Sequence, residues 1–446
     1  MRANLSKKAE VYIGVIIAVG VLLMLSQTIV TVALSIYDFT TINRVRNSAK
    51  NIAQEELEII RNTEYDNVGT VGGIPSGIFL QEQNVVRNGQ NYVVRTRINY
   101  IDDPFDGVAP TDTLATDYKR VRVDVSWGGI QSSDISTITM VTDIAPKGVE
   151  TTVGGGTLSV LVFNSNAEPV PQASVHLYAP TLATPIDATY YTSETGIITI
   201  PGAPVCNSCY EITVTKDGYS TDRTYSVSEV SNPIKPHATV LESELTEISF
   251  SIDFFASLQI TSVDSKDNNF TILPNQIIKL RGEKIIGTDS LDQNVYKYDY
   301  DIVTNSLGQL EIKELEWDNY TLLEPDSSSI DIAYTNPVSP LSIFPSENIN
   351  LNASVVPDTS HSLYVVFQDV NESLVSSVSA TLKDSLSFEE NVISGSNGDV
   401  DFGQVYFEGL ENKIYTLVAT ASGFMQHTTN VTVNNDTKEI IILDTQ

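Results

Sequence analysis

The chain has 446 residues, enough at typical domain sizes for about three to five domains. Its 56 acidic and 26 basic side chains give a formal charge of -30, which repels phosphates and argues against a nucleic-acid partner. Apolar residues make up 41% of the chain, and 20 Tyr with frequent Val, Ile and Thr against only 4 Met favour a folded, mainly β protein.

The basic residues are concentrated near the N-terminus. Arg2, Lys7 and Lys8 precede an apolar run, and Arg44, Arg46, Lys50 and Arg61 follow it. The acidity therefore belongs to the rest of the chain, where it keeps an exported protein soluble and offers carboxylates to divalent cations. The run itself, residues 11–37, reads VYIGVIIAVGVLLMLSQTIVTVALSIY with no charged residue. At about 1.5 Å per helical residue it more than spans a hydrocarbon core of about 30 Å. The positive flank places the N-terminus in the cytoplasm and everything after Tyr37 outside the membrane, a single span. A cleaved secretory signal would have a shorter apolar region followed by small residues, so an uncleaved or barely trimmed anchor is expected.

Ile42, Val45, Ala49, Ile52, Ala53, Leu57 and Ile60 recur at helical spacing, so the helix is expected to continue amphipathically through residues 38–66. The Gly-rich stretch YDNVGTVGGIPSG at 65–77 ends it. Three alternating runs follow, at 90–101, 118–127 and 134–144. They predict a small antiparallel sheet within 67–145.

A long N-terminal helix, apolar first and amphipathic second, leading into a small antiparallel sheet, resembles type IV pilins and the pseudopilins of type II secretion. The resemblance covers roughly residues 1–145. It implies that residues 11–37 sit in the membrane before assembly and then pack as the core of a filament, with other pilin-like subunits as partners. The family's processing signature is a Gly followed by Phe-Thr-Leu-x-Glu, whereas this chain reads KKAEVYIGVII. Glu10 is the one acidic residue placed to play the Glu's part in setting subunit register. A plain anchor with a stalk helix has the same shape.

After IAPKGVETTVGGGT, read as a linker at 146–156, a pattern recurs. It occupies 157–245, 253–356 and 360–446. Gly196, Gly308 and Gly398 are each followed four residues on by Ile200, Ile312 and Phe402. Tyr210 to Gly218 and Tyr415 to Gly423 keep one separation, with Tyr219 and Phe424 next. A turn glycine followed by an inward-facing apolar residue, in about a hundred residues of short strands, predicts a β-sandwich in each. The expected fold is mainly β with one long N-terminal helix: an α+β head, then tandem immunoglobulin-like β-sandwiches. The phrase from GTLSVLVF to KDGYST is similar to the carboxypeptidase regulatory-like family, well over 157–240, fairly over 360–446 and weakly over 254–355. That resemblance implies that the sandwiches are transthyretin-like and serve as non-catalytic spacer, adhesion or carbohydrate-contact modules.

The residues of chemistry are sparse. His176, His237, His361 and His427 are scattered, without the spacing of a metal site. No nucleophile elbow or phosphate loop is present, and Ser76 belongs to a turn. Cys206 and Cys209 form CNSC; outside the cytoplasm a small, strained disulfide pinning the loop before Tyr210 is expected over two free thiols. Asp102, Asp103 and Asp106 in YIDDPFDG can gather oxygen ligands for Ca²⁺, or form a solvated acidic turn. The expectation is a non-catalytic, membrane-anchored surface protein of a prokaryotic envelope with a carbohydrate or protein ligand, carried on a filament or on a monomeric tether. An extracellular glycan hydrolase would need carboxylate pairs that can be distant in sequence.

Overall fold

The structure is a computed structural model describing residues 3–105, 107, 116–128, 135–146, 155–326 and 329–446, with side chains from residue 18 onward. One helix, α1 (Ala3–Arg61), leads into an antiparallel meander. Its strands are β1 (Glu82–Arg87), β2 (Gln90–Ile101), β3 (Tyr118–Gly128) and β4 (Ile135–Ile144). The apolar side of α1 packs on this sheet: Val45, Ala49, Ile52, Ala53, Leu57 and Ile60 are buried against Tyr92, Val94, Ile98, Val121, Val123 and Val125. Two small alanines at helical spacing let the helix approach the strands closely. Ile42 belongs to the same stripe yet is 58% exposed, because the sheet ends about one turn earlier than the periodicity does.

The turn after α1 is fastened by a residue that its sequence context does not mark. Lys119 on β3 is buried, and its ammonium donates to the carbonyls of Tyr65 and Val68, each at 2.7 Å. It also lies over the Tyr65 ring, 4.3 Å from the centroid. Burial lowers its pKa to about 8, since a cation is penalised away from water.

Three sandwiches follow, and they share one topology. In each, the first strand is flanked by the last strand running parallel to it and by another running antiparallel. Gly156–Phe163 lies between Leu245–Ser251 and Ile197–Ala203. Ala256–Val263 lies between Asn348–Pro357 and Gln309–Leu315, and Ser362–Gln368 between Asp436–Ile442 and Gln404–Phe407. The second sheets also correspond. Ser174–Ala179, Ile277–Gly282 and Ser379–Lys383 each stand between two antiparallel neighbours. The middle unit, the least similar of the three in sequence, repeats the pattern of the other two.

The turn glycine has a defined place in this pattern. The carbonyl of Gly196 accepts Val162 N–H, that of Gly308 accepts Ser262 N–H, and that of Gly403 accepts Phe367 N–H, each at 2.8 Å. All three glycines have φ near +70° (72°, 69° and 67°), which side chains with a Cβ adopt at a cost. Four residues on from each, Ile200, Ile312 and Phe407 pair with Leu158, Leu258 and Leu363 of the first strand. The third landmark is therefore Gly403 with Phe407, and not the Gly398 with Phe402 expected from sequence. Gly398 lies in the preceding turn, and both glycines satisfy the same short spacing rule.

Each sandwich also buries a tyrosine whose hydroxyl bonds to nearby upstream backbone. Tyr210 donates to Pro204 O and Tyr320 to Glu316 O, both at 2.8 Å, and the Tyr415 hydroxyl accepts Glu411 N–H at 3.0 Å. A buried ring tied back to its own corner in this way is a recurrent device of immunoglobulin-like sandwiches.

The units are also joined to one another. Ile74 and Tyr100 of the head belong to the core of the first sandwich. Asn232–Pro233 adds to a strand pair of the second unit, Ile285–Thr288 with Asn294–Tyr296. Between the second and third, Tyr334, Val356 and Tyr406 form a small core. There the Gln404 amide pairs with the backbone of Thr335, accepting at 3.1 Å and donating at 2.9 Å.

Candidate functional site

The most distinctive surface is the N-terminal half of α1. From Ala18 the helix continues to Arg61, and its most apolar stretch is nowhere buried against the rest of the chain. By length and composition it can cross a membrane. Leu22, Leu23, Met24, Leu25, Ile29, Val30, Val32 and Leu34 all face outward, an array of large apolar side chains that water disfavours. Three hydroxyls in this stretch are satisfied locally. Thr28, Thr31 and Ser35 donate their hydroxyls to the carbonyls four residues back, at 2.8, 2.6 and 2.9 Å. A helix in hydrocarbon has no water to bond to, so such back-bonding removes the cost these hydroxyls would otherwise carry. The hydroxyls of Thr40 and Thr41 continue the same arrangement.

The head adds charge just past this surface. Arg87 pairs with Glu55 at 2.9 Å, and Gln83 donates to Glu56 at 2.7 Å. These contacts fix β1 to the amphipathic half of α1, so the helix leaves the head in one direction. Glu10 lies within α1, but its side chain is outside the described residues.

The remaining candidates resolve as follows. Cys206 and Cys209 are joined, with Cα atoms 6.0 Å apart. They close a bulge: Val240 pairs with Cys206 and Ala238 with Tyr210, so a four-residue advance on one strand faces a two-residue advance on its neighbour. In the acidic loop, the Asp103 carboxylate accepts Phe105 N–H at 3.1 Å, while Asp103 N–H donates to Asp117 at 2.5 Å. Asp102 lies beside it in the chain, and Asp106 is outside the described residues. The loop is a hydrogen-bonded turn in which the Asp103 carboxylate is engaged by backbone.

Two of the histidines have side-chain partners that hold them in strands or turns. His176 Nε2 lies 2.8 Å from Asp187, and His237 Nδ1 lies 3.0 Å from the Thr224 hydroxyl. His361 offers its carbonyl to Leu410 N–H, and His427 opens the strand His427–Thr432. A different set of groups converges. Glu324, Asp331 and Asp436 bring carboxylate oxygens within 4.8 Å of one another. They come from places 7 and 105 residues apart in the chain, so no local motif announces them.

Comparisons place little beside this arrangement. No family model and no curated protein matches the chain. Among solved structures, the chain is similar to the TIE protein of Bacillus anthracis, with 16% identity over 81% of this chain and 73% of that one and a TM-score of 0.19. It is similar to a streptococcal ancillary pilin, with 13% identity over 66% of this chain and 99% of the other and a TM-score of 0.18. It is similar also to the major pilin subunit of Bacillus cereus, with 10% identity, 65% and 99% coverage, and a TM-score of 0.17. Similarity at these scores transfers neither a spatial arrangement nor a role to this chain.

Proposed function

We propose that this chain is a non-catalytic, membrane-anchored surface protein whose N-terminal helix and head act in the manner of a pilin or pseudopilin, displaying three β-sandwiches for adhesion or assembly. The observation that carries the reading is the division of α1. One helix has a fully exposed apolar half and a second half packed on an antiparallel sheet. An exposed apolar helix needs either lipid or other copies of itself around it, and a rigidly joined head decides where the sandwiches point. In the membrane the N-terminus is cytoplasmic and the sandwiches are extracytoplasmic, in keeping with the basic flank at Arg2, Lys7 and Lys8. The surrounding partners are membrane lipid and other pilin-like subunits, with a protein or carbohydrate ligand at the sandwiches.

The second reading is a monomeric tethered protein that never polymerises. It is favoured by the sequence around Glu10, which lacks the glycine of a processing site. N-terminal mass spectrometry of the membrane-extracted protein, together with fractionation of sheared surface material, separates the two. A trimmed, N-methylated end near Glu10 in the filament fraction is the outcome expected of a pilin. An intact Met1 confined to membranes would leave only the tether.

A further inference from the structure

The joint between the second and third sandwiches contains a cleft of about 220 Å³ lined by Glu324, Asp331 and Asp436, among others. Glu324 and Asp331 belong to the second sandwich and Asp436 to the third. Their closest carboxylate oxygens lie within 4.8 Å of one another, which is the span one ion with oxygen ligands at about 2.3–2.6 Å can bridge.

Two of the carboxylates are held by donors. Tyr406 donates its hydroxyl to Asp331 Oδ2 at 2.6 Å, and Thr359 N–H reaches the same oxygen at 3.2 Å. Ser362 donates to Asp436 Oδ1 at 2.8 Å. Outer donors of this kind orient carboxylates around a metal. They leave one oxygen conspicuous: Asp331 is 2% exposed, and its buried Oδ1 has no hydrogen-bond partner. A buried carboxylate oxygen without a donor carries a desolvation cost that a cation would offset.

No basic side chain supplies that charge. Lys438 lines the same cleft, but its ammonium donates to the Ser339 carbonyl at 2.9 Å. None of the three carboxylates takes part in an ion pair with it or with any other base among the described residues.

We propose that Glu324, Asp331 and Asp436 form a binding site for a hard divalent cation, Ca²⁺ by preference, which clamps the third sandwich to the second. Three carboxylates in a partly open cleft leave room for waters to complete the irregular shell of six to eight oxygens that Ca²⁺ accepts, whereas smaller Mg²⁺ demands six in near-ideal octahedral geometry. The clamp acts on the joint whether the anchor polymerises or not.

The test uses the full-length protein in detergent, stripped with a chelator and titrated calorimetrically with Ca²⁺ in about 0.15 M NaCl to screen loose surface binding. Saturable binding is expected, with a dissociation constant of about 10⁻⁴–10⁻³ M, as in extracellular modules. The pair of substitutions Glu324→Gln and Asp436→Asn should weaken it roughly ten-fold or more and abolish the Ca²⁺-dependent rise in melting temperature. Both side chains lie at the exposed rim of the cleft, and a cooperative melting transition retained in chelator would confirm that the variant folds. Absence of saturable binding in the parent, or unchanged affinity in the variant, would overturn the proposal. Glu324→Gln alone, read by the melting shift, provides the second variant.

Discussion

The backbone N–H of Ile74 donates to the hydroxyl of Tyr190 at 3.0 Å, across 116 positions of sequence. Both residues are buried, and the contact joins the Gly-rich loop that follows α1 to the core of the first sandwich. Around it, Asp187 N–H donates to Gly72 O at 2.8 Å, and Gln81 donates to Asp187 O at 2.7 Å. The Arg97 guanidinium lies 4.4 Å from the centroid of the Tyr191 ring. A loop whose composition reads as a terminator is thus the seam that joins the head to the first sandwich.

Tyr190→Phe removes the acceptor and leaves the Ile74 amide unsatisfied in an apolar setting. The expected cost is about 1–3 kcal/mol. Chemical denaturation would read this cost, and amide hydrogen exchange over residues 69–79 would rise if the seam opens. Unchanged exchange there would mean that head and sandwich are held without this bond.

The reassigned glycine landmark gives a contrast that separates it from the register read in the sequence. A Cβ on Gly403 would sit 2.9 Å from Leu374 Cβ, whereas a Cβ on Gly398 would meet nothing within 4 Å. Both positions have positive φ, at 67° and 98°, so each alanine carries a backbone cost of about 1–2 kcal/mol. Gly403→Ala adds steric contact to it and should be the more destabilising of the two by thermal melting. The reverse order would restore Gly398 as the structural equivalent of Gly196 and Gly308.

The carboxylate cleft sets a pH dependence. Burial and the nearby charges of Asp331, Asp436 and Asp358 push the pKa of Glu324 up from 4.5 to about 7. Burial also raises Asp331. The same cleft is lined by Tyr364, Tyr406 and Lys438, and burial lowers the Lys438 pKa. With a raised folded-state pKa, the stabilisation associated with the protonated Glu324 is fully present below its unfolded value and is lost as pH rises through about 7. In chelator, therefore, the melting temperature should fall between about pH 5 and pH 8, and Glu324→Gln should flatten that part of the profile. A variant whose profile follows the parent's would assign the dependence to other groups.

Much of this protein is legible without a structure because its signals are local. The apolar run at 11–37, the stripe from Val45 to Ile60 and the alternation in 90–101 and 118–127 are read over a few neighbouring residues. Periodicity determines helix or strand where one face must be buried. The same local reading places Ile42 in the stripe, although the sheet does not reach it, and assigns a glycine five positions from the one that makes the turn.

The tertiary structure decided what depends on residues meeting from distant places. Lys119 reaches the carbonyls of Tyr65 and Val68, Tyr190 holds Ile74, and Gln404 pairs with Thr335. Glu324, Asp331 and Asp436 converge only because the first strand of the third sandwich lies parallel to its last, which brings Asp436 beside Ser362 at the joint. No spacing in the chain encodes such meetings, since strand pairing is settled by the burial of whole faces and the closure of long loops. The sequence by itself determined the long N-terminal helix, three of the four head strands and the recurrence of a β module; packing decided which polar side chains are shut away from water, and with them where a charge would have to be met.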